Sequence, residues 1–365
     1  MAAEKRKLRV LIVSPYFFPE NFRINDVAQD LSKKGHFVAV LTGQPDYPNP
    51  YIFELFRRQN ISKQQWEGVT IFRIPTVSRG HGGKFRRFFN YTSFVVSAIY
   101  WMMKNLKSIE YDVVLTWASS PITSALPSIY LRSKTNIRHA IWVQDMWPDT
   151  LVALEIVKSS AIIKVLNSLV NFIYKRSDLI WDQSMGFQKS ISQKLQGGNR
   201  VKVLYNWGDE TVPSRKRLEL KNETRMRILY AGNIGHAQNI EVILEIVERT
   251  KNEKIHWTFI GGGVLESWLK AEIEKRNLNG SVDVLDRVAP DVVCQLGQWA
   301  DILLISLKSK GCLNLTIPSK LQTYMIWGKP ILGFIAGDPA EEIKKANCGL
   351  TASPEDPDHF QHVIL

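Results

Sequence analysis

The sequence predicts an α/β protein made of two doubly wound domains, and three observations carry the prediction. Short aliphatic runs alternate with stretches of helical spacing. The alternation begins at Leu8, pauses over the polar stretch Gly208 to Arg225, and restarts at Arg227. The chain has 365 residues, long for one hydrophobic core. The expected domains are residues 1–207 and 208–365, facing a central cleft.

In order along the chain, Leu8-Arg9-Val10-Leu11-Ile12-Val13 reads as a buried strand. A loop rich in Pro and aromatics follows from Ser14 to Asn21. Ile24, Val27, Ala28 and Leu31 then recur at helical spacing, and Gly35 stands where a helix C-terminus favours glycine. Phe37 to Leu41 returns as a strand and completes a βαβ unit. Further strands are expected at Val113-Val114-Leu115, Ala140-Ile141-Trp142-Val143, Leu179-Ile180-Trp181 and Val201-Lys202-Val203-Leu204. The second half repeats this grammar. Arg227-Ile228-Leu229-Tyr230-Ala231 is a strand, and Ile240, Ile243, Leu244 and Val247 form a helical stripe. Strands follow at Trp257 to Ile260, Val282 to Leu285, Ile302 to Ile305 and Pro330 to Leu332. Sheets of this kind bind ligands beyond the carboxyl ends of their strands.

Composition narrows the function classes. The apolar fraction of 45% and charged fraction of 22% are those of an ordinary globular protein. Met1 to Lys7 is short and polar, unlike a signal peptide. Cys294, Cys312 and Cys348 are odd in number and lack metal spacing, which suits a reduced cytoplasm. The net charge of +12 is consistent with nucleic acid, an anionic membrane surface or a solvated lysine-rich face. No nucleic-acid-binding motif accompanies it, so no nucleic-acid partner is expected.

Chemistry concentrates at a few joints. Ile317-Pro318-Ser319-Lys320-Leu321 opens a helix with Leu321, Tyr324 and Met325 on its apolar stripe. Pro suits the first turn and Ser can cap it. Helix N–H groups and the Lys320 charge would make an anion site, although an ordinary capped helix with a surface lysine reads the same way. Ala231-Gly232-Asn233-Ile234-Gly235-His236-Ala237-Gln238-Asn239 joins a strand to a helix, as does Gly261-Gly262-Gly263 one unit later. Such glycines permit close backbone approach by a ligand or a plain tight turn. Neither stretch is the G-x-G-x-x-G fingerprint or a P-loop, which argues against a dinucleotide oxidoreductase and an NTPase. In the first half, Gln144-Asp145-Met146-Trp147-Pro148-Asp149 follows a strand, as does the loop Pro15 to Arg23; both suit substrate contacts, or helix capping and aromatic packing. No metal site is expected, since the one D-x-D, Asp356-Pro357-Asp358, is a solvated turn and the histidines are scattered.

A basic and aromatic stretch remains. Arg79, Lys84, Arg86 and Arg87 precede an apolar run from Phe88 to Met103, followed by Lys104 and Lys107. The run is short of the ~20 residues that span a bilayer. It reads as a core helix, as a helix presenting Phe85, Arg86, Arg87 and Phe88 to an anionic membrane surface, or as both.

Together these residues resemble the retaining, family-four glycosyltransferases of GT-B fold, two Rossmann-like domains about a cleft, and especially their bacterial O-antigen and capsular-polysaccharide branch. The resemblance rests on Pro19-Glu20-Asn21-Phe22-Arg23-Ile24-Asn25-Asp26, Gly35-His36, Leu41-Thr42-Gly43-Gln44-Pro45-Asp46-Tyr47-Pro48, Asp145-Met146-Trp147-Pro148-Asp149, Tyr230 to Gly235, Pro318-Ser319-Lys320 and Gly328-Lys329-Pro330. It implies a nucleotide-sugar donor, UDP-linked by preference, held by the C-terminal domain through Gly232, Asn233, Gly235, Gln238, Gly262, Arg287, Val288, Ser319, Lys320 and Thr323. It implies a polyprenyl-diphosphate-linked acceptor held through Glu20, Asn21, Arg23, Trp147 and Asp149, with Asp145 and Lys320 catalytic. Retention of configuration, no required metal or other cofactor, transfer of a sugar such as an N-acetylated amino or deoxy sugar, and a peripheral place on the cytoplasmic face of the plasma membrane follow from the same likeness. The chain departs from the family pattern where Asn233 and Gln238 replace an Arg and a Lys, and where Leu315 and Thr323 replace two glutamates. Relatives continue beyond the position of Leu365 into another helix or two. A nucleotide-sugar epimerase on the same fold and a non-catalytic scaffold are the rival readings; the first needs acid and base groups that the sequence does not supply.

Overall fold

The computed structural model describes residues 6–47, 53–80, 83–105, 110–197, 199–208 and 224–365. The chain forms two compact units, one of residues 1–152, 157–183 and 187–204, the other of residues 153–156, 184–186 and 205–365. Most of the polar stretch expected to join the domains, residues 209–223, lies outside the described residues, as do Pro48 and Lys107.

The first unit is built on eight strands: β1 (Arg9–Val13), β2 (Phe37–Thr42), β3 (Lys63–Trp66), β4 (Val69–Arg73), β5 (Val113–Ala118), β6 (Arg138–Val143), β7 (Leu179–Asp182) and β8 (Val201–Val203). Their order is β3-β4-β2-β1-β5-β6-β7-β8, parallel throughout except for β3 against β4. Alternate residues of a strand point to opposite faces, so β1 serves two cores. Val10 and Ile12 pack with Phe17, Ile24 and Ala28, beneath the helix Arg23–Lys33. Leu11 and Val13 pack with Phe94, Ala98 and Met102, on the helix Lys84–Asn105.

The hairpin β3–β4 was not anticipated from sequence. Its two four- and five-residue strands join through Glu67 and Gly68, both at positive φ, with Trp66 paired to Val69. That is the two-residue turn whose twist matches antiparallel strands, here with Glu where Asn or Asp is usual.

The second unit carries six parallel strands: β9 (Met226–Ala231), β10 (Ile255–Ile260), β11 (Val282–Leu285), β12 (Ile302–Ser306), β13 (Ile331–Phe334) and β14 (Gly349–Ala352), in the order β11-β10-β9-β12-β13-β14. The helix Ile240–Arg249 buries Ile240, Ile243, Leu244, Ile246 and Val247 against this sheet. Each such side chain contributes about 1.5–3 kcal/mol when fully buried. Strand β14, Gly349-Leu350-Thr351-Ala352, lacks an aliphatic run and owes its state to pairing with β13. In both sheets the order reverses beside the first strand, between β1 and β5 and between β9 and β12. Chains leaving such strands diverge and open a crevice at their carboxyl ends.

Candidate functional site

In the second unit that crevice is walled by glycine turns. Gly232 follows β9 at φ +152 and Gly261 follows β10 at φ +141, conformations that side chains rarely adopt. A Cβ on Gly261 would stand 1.9 Å from the carbonyl oxygen of Gly232, and one on Gly263 would stand 2.2 Å from that of Ile234. The two turns are therefore pressed backbone to backbone. Gly232 N–H donates to Ile260 O at 2.8 Å, and Ile234 N–H to Gly262 O at 3.1 Å. A Cβ on Gly262 would come within 3.2 Å of the Arg287 Nε, so the exposed Arg287 borders the second turn, with Val288 beside it.

Lys320 closes the first turn. A Cβ on Gly232 would lie 2.7 Å from Lys320 Nζ, and Nζ itself stands 3.8 Å from the centroid of the Tyr230 ring. Tyr230 donates its hydroxyl to Asn233 O at 2.6 Å. Tyr324, one turn beyond Lys320 on the same helix face, accepts from Ala231 N–H at 3.0 Å and ties the helix Ser319–Trp327 to the end of β9. The Lys320 residue is half-buried, but its ammonium is shut off from solvent and has no hydrogen-bond partner among the described residues. Burial pushes its pKa down to about 7. A cation over an aromatic face gains about 0.5–2 kcal/mol, which does not replace lost hydration. An ammonium held this way lacks an acceptor, and the helix N-terminus beside it favours negative charge.

Ser319 does not cap that helix as expected. Pro318 is the extended residue ahead of it, Ser319 is the first helical residue, and Leu321 N–H donates to Pro318 O at 2.9 Å, while no side chain among the described residues caps the N–H groups of Ser319 and Lys320. Gly328, at φ +66, ends the helix. Asn233 Nδ2 donates to Gln238 Oε1 at 3.0 Å, over Gly235, so both side chains are turned to each other across the turn. Thr323 is half-buried one turn along from Lys320. Sequence reasoning missed Tyr230 as the floor under Lys320 and saw Tyr324 only as packing; the i,i+4 spacing of Lys320 and Tyr324 was the available signal.

The first unit treats its expected residues differently. Glu20 is buried, and its carboxylate accepts from Phe17 N–H at 3.1 Å, Asp46 N–H at 2.8 Å and Tyr47 N–H at 2.6 Å. It staples the loop after β1 to the loop after β2 and faces inward. Burial raises its carboxyl to about 7, against those hydrogen bonds and the nearby Arg73. Asn21 is exposed, and Arg23 lies 3.6 Å from Asp26. Asp145 and Trp147 are brought together: Thr150 donates to the Asp145 carboxylate, Ser120 is bonded to it as well, and Trp147 Nε1 donates to Ser120 Oγ at 2.8 Å. Burial raises the Asp145 pKa. Asp149 opens a short helix and pairs with Lys194 at 2.7 Å.

The helix Lys84–Asn105 has two apolar faces. Asn90, Phe94, Ala98 and Met102 are buried, whereas Phe85, Phe88, Phe89, Val96, Tyr100 and Met103 are exposed on the opposite side, Phe85 at 84%. Arg86 and Arg87 flank the exposed end. Arg79 does not belong to that face, because its guanidinium lies among three tyrosine rings. Among the described residues no helix is long and apolar enough to cross a membrane, and no cluster of His, Cys, Asp and Glu has the makings of a metal site.

Comparison with known proteins gives these crevices a context. Residues 213–365 match the family model described as glycosyl transferases group 1. The chain is 25% identical to the probable glycosyltransferase WbjE of Pseudomonas aeruginosa, over 67% of this chain and 63% of that protein, and so aligns with less than two thirds of the relative's length. It is 20% identical to the putative colanic acid biosynthesis glycosyl transferase WcaI of Escherichia coli K12, over 88% of this chain and 82% of the other. Among solved structures it resembles Anabaena HepE in complex with UDP and glucose, with a TM-score of 0.67 and 14% identity over 98% of this chain and 89% of that one. The chain therefore has the fold of the GT-B glycosyltransferases, two Rossmann-like units, and its second unit carries the match to glycosyl transferases group 1.

Proposed function

We propose that this protein transfers a sugar from a nucleoside-diphosphate sugar, with UDP as the nucleotide, to a lipid-linked saccharide in surface-polysaccharide assembly, with retention of configuration and without a metal. The observation that carries the proposal is the buried, unpartnered ammonium of Lys320 beside the Gly232 turn and a helix N-terminus. In glycosyl transfer the diphosphate gains negative charge as the bond to the sugar breaks, and preorganised donors aimed at that charge lower the barrier. Lys320, the N–H groups at Ser319 and the turn from Gly232 to Gly235 supply such donors, with Gln238 and Gly262 lining the same anion. Arg287 and Val288 take the base, and Thr323 the ribose. Asp145, held by Thr150 and Ser120, orients the acceptor. UDP is favoured by the UDP complex of HepE, and a polysaccharide product by the colanic acid role in the name of WcaI.

The exposed aromatic face of the helix Lys84–Asn105, with Arg86 and Arg87, suits an anionic membrane surface, each basic group adding about 1 kcal/mol there. The enzyme then works at the cytoplasmic face, where a polyprenyl-diphosphate acceptor is presented.

The test is a screen of UDP-, GDP- and ADP-sugars for nucleotide release in excess EDTA, with and without anionic liposomes. Release from a UDP-sugar that needs acceptor lipid supports the reading. Turnover restored only by added magnesium or manganese overturns its metal-free form, and isomerisation of the donor without release points to an epimerase.

A further inference from the structure

One face of the first unit's sheet is covered by a layer of helices. Phe94, Ala98 and Met102, on the helix Lys84–Asn105, pack there in one core with Val114 of β5 and with Leu131 of the helix Leu126–Lys134. His139 of β6 is paired with Val114 in parallel register, so its side chain points to the same face. Its ring lies 3.0 Å from Thr116 Oγ1, which donates to Ser128 Oγ on the helix Leu126–Lys134 at 2.7 Å. On its other side the ring lies 3.2 Å from Ser177 Oγ, just past the helix Ser160–Lys175. All three helices therefore lie on this one face.

The helix Ser160–Lys175 buries Val170, Ile173 and Tyr174 towards the sheet, yet it carries a second apolar stripe. Ile162, Val165, Leu169 and Phe172 recur at helical spacing; Leu169 is half-buried and the other three are exposed, Val165 at 69%. Lys164 and Lys175 are exposed on the same helix, and the Arg176 guanidinium stands 3.9 Å from the centroid of the Phe172 ring. Neither this helix nor Lys84–Asn105 contains an Asp or a Glu. The carboxylate that follows in sequence, Asp178, is already held by Arg132 through two hydrogen bonds of 2.6 and 2.8 Å. A face that is apolar along its middle, cationic beside it and built on a helix without carboxylates fits anionic lipid. Its apolar side chains enter the acyl boundary, and the lysine stems reach back to the phosphates. A second copy of the chain fits it worse, because a two-fold contact would set a cationic face against itself.

We infer that the helix Ser160–Lys175 is a second membrane contact, which docks the first unit on an anionic bilayer together with the outer face of the helix Lys84–Asn105. The inference rests on the reading that Lys84–Asn105 meets such a surface. It adds what one helix does not supply, a fixed orientation, with the helical face of the sheet turned to the lipid. Contacts linked in one rigid layer reinforce each other in affinity.

Co-sedimentation of the full chain with phosphatidylcholine vesicles, with and without phosphatidylglycerol, tests it. Wild type pellets with the anionic vesicles and not with the neutral ones. Ile162→Ser/Val165→Ser and, separately, Lys164→Glu/Lys175→Glu weaken that binding about tenfold or more. Arg86→Glu/Arg87→Glu on the first helix does the same, and combining it with Lys164→Glu/Lys175→Glu multiplies the losses. Melting curves report that the variants are folded, and the charge reversal of two exposed lysines keeps the test open if the serine pair does not fold. Second-helix variants that bind as wild type does overturn the inference and leave the first helix as the contact. Arg86→Glu/Arg87→Glu binding as wild type, while the second-helix variants lose binding, strikes the earlier contact and leaves this one standing. Wild type that ignores phosphatidylglycerol overturns both, and nucleotide release from a UDP-sugar in the same samples reports the transferase reading separately. A wild-type dimer without vesicles that Ile162→Ser/Val165→Ser dissociates also overturns the inference and assigns the face to a second copy.

Discussion

Two buried ionisable side chains arrive near the same pKa from opposite directions. Burial raises Glu20 in the first unit and lowers Lys320 in the second, each to about 7. Their surroundings differ completely. Glu20 holds three backbone N–H groups, and Arg73 stands within electrostatic reach, itself donating to Gly43 O at 3.0 Å and to Phe18 O. Lys320 has an aromatic face and, among the described residues, nothing that accepts a hydrogen bond from its ammonium. Burial and a displaced pKa therefore do not separate a structural staple from a ligand site; satisfaction does. A satisfied buried charge is answered by the fold itself, and an unsatisfied one is where a ligand is to be sought.

The largest effect expected from this contrast is on Lys320. Replacing it with Ala removes a charge-assisted contact to phosphate, about 1.5–3 kcal/mol, or roughly ten- to a hundredfold in donor turnover. Thermal stability holds or rises, because an uncompensated buried charge is lost. Donor kinetics beside a melting curve check both halves, and unchanged donor affinity and turnover would end the assignment.

For Glu20 the expectation is reversed. Glu20→Gln turns an amide N–H₂ towards backbone donors that need acceptors and costs about 1.5–3 kcal/mol of stability, read from the urea midpoint. UDP binding in the second unit is unaffected. A variant as stable as wild type would show that the staple contributes nothing.

The smallest effect concerns pH and sharpens the comparison most. The Lys320 pKa is depressed from its ordinary 10.5, so its contribution to stability is complete above that value and lost as pH falls through 7. Glu20 is raised from its ordinary 4.5, so its contribution is complete below that value and lost as pH rises through 7. A bound diphosphate holds Lys320 protonated, so donor binding takes up a proton above pH 7. UDP affinity should then fall with rising pH above 7, towards tenfold per unit, and Lys320→Met should abolish that slope. Titrations in buffers of different ionisation enthalpy count the protons directly, and a flat wild-type profile would mean that the ammonium is not in contact with the nucleotide.

Much of the architecture was legible in advance where a local rule applied. The strands at Val10 to Val13, Ile141 to Val143 and Leu303 to Ile305 are aliphatic runs, and the stripe Ile240, Ile243, Leu244 and Val247 has the helical period. The hairpin Lys63 to Arg73 and the strand Gly349 to Ala352 were not legible, because both are short and take their state from a neighbour already in place. At the sites, Lys320 stood out as a cation at a helix start, and the glycines of residues 231–235 and 261–263 as tight joints. Ser319 as a cap and Arg79 as part of a basic face read plausibly from spacing, and Glu20 as an acceptor contact from the family resemblance, but Ser319 lies inside the helix, Arg79 lies among tyrosines and Glu20 holds loop backbone.

The sequence by itself determined where the chain alternates between strand and helix, where it turns on glycine, and which residue types stand at the strand ends, since periodicity and backbone preference act over a few neighbouring positions. Only the tertiary structure decided which charges are answered. Tyr230 reaches Lys320 across 90 positions, Glu20 holds the backbone of Asp46 and Tyr47, and Arg79 meets Tyr16 across 63 positions. Desolvation and hydrogen-bond satisfaction depend on everything that closes around a group, and those neighbours are distant in the chain.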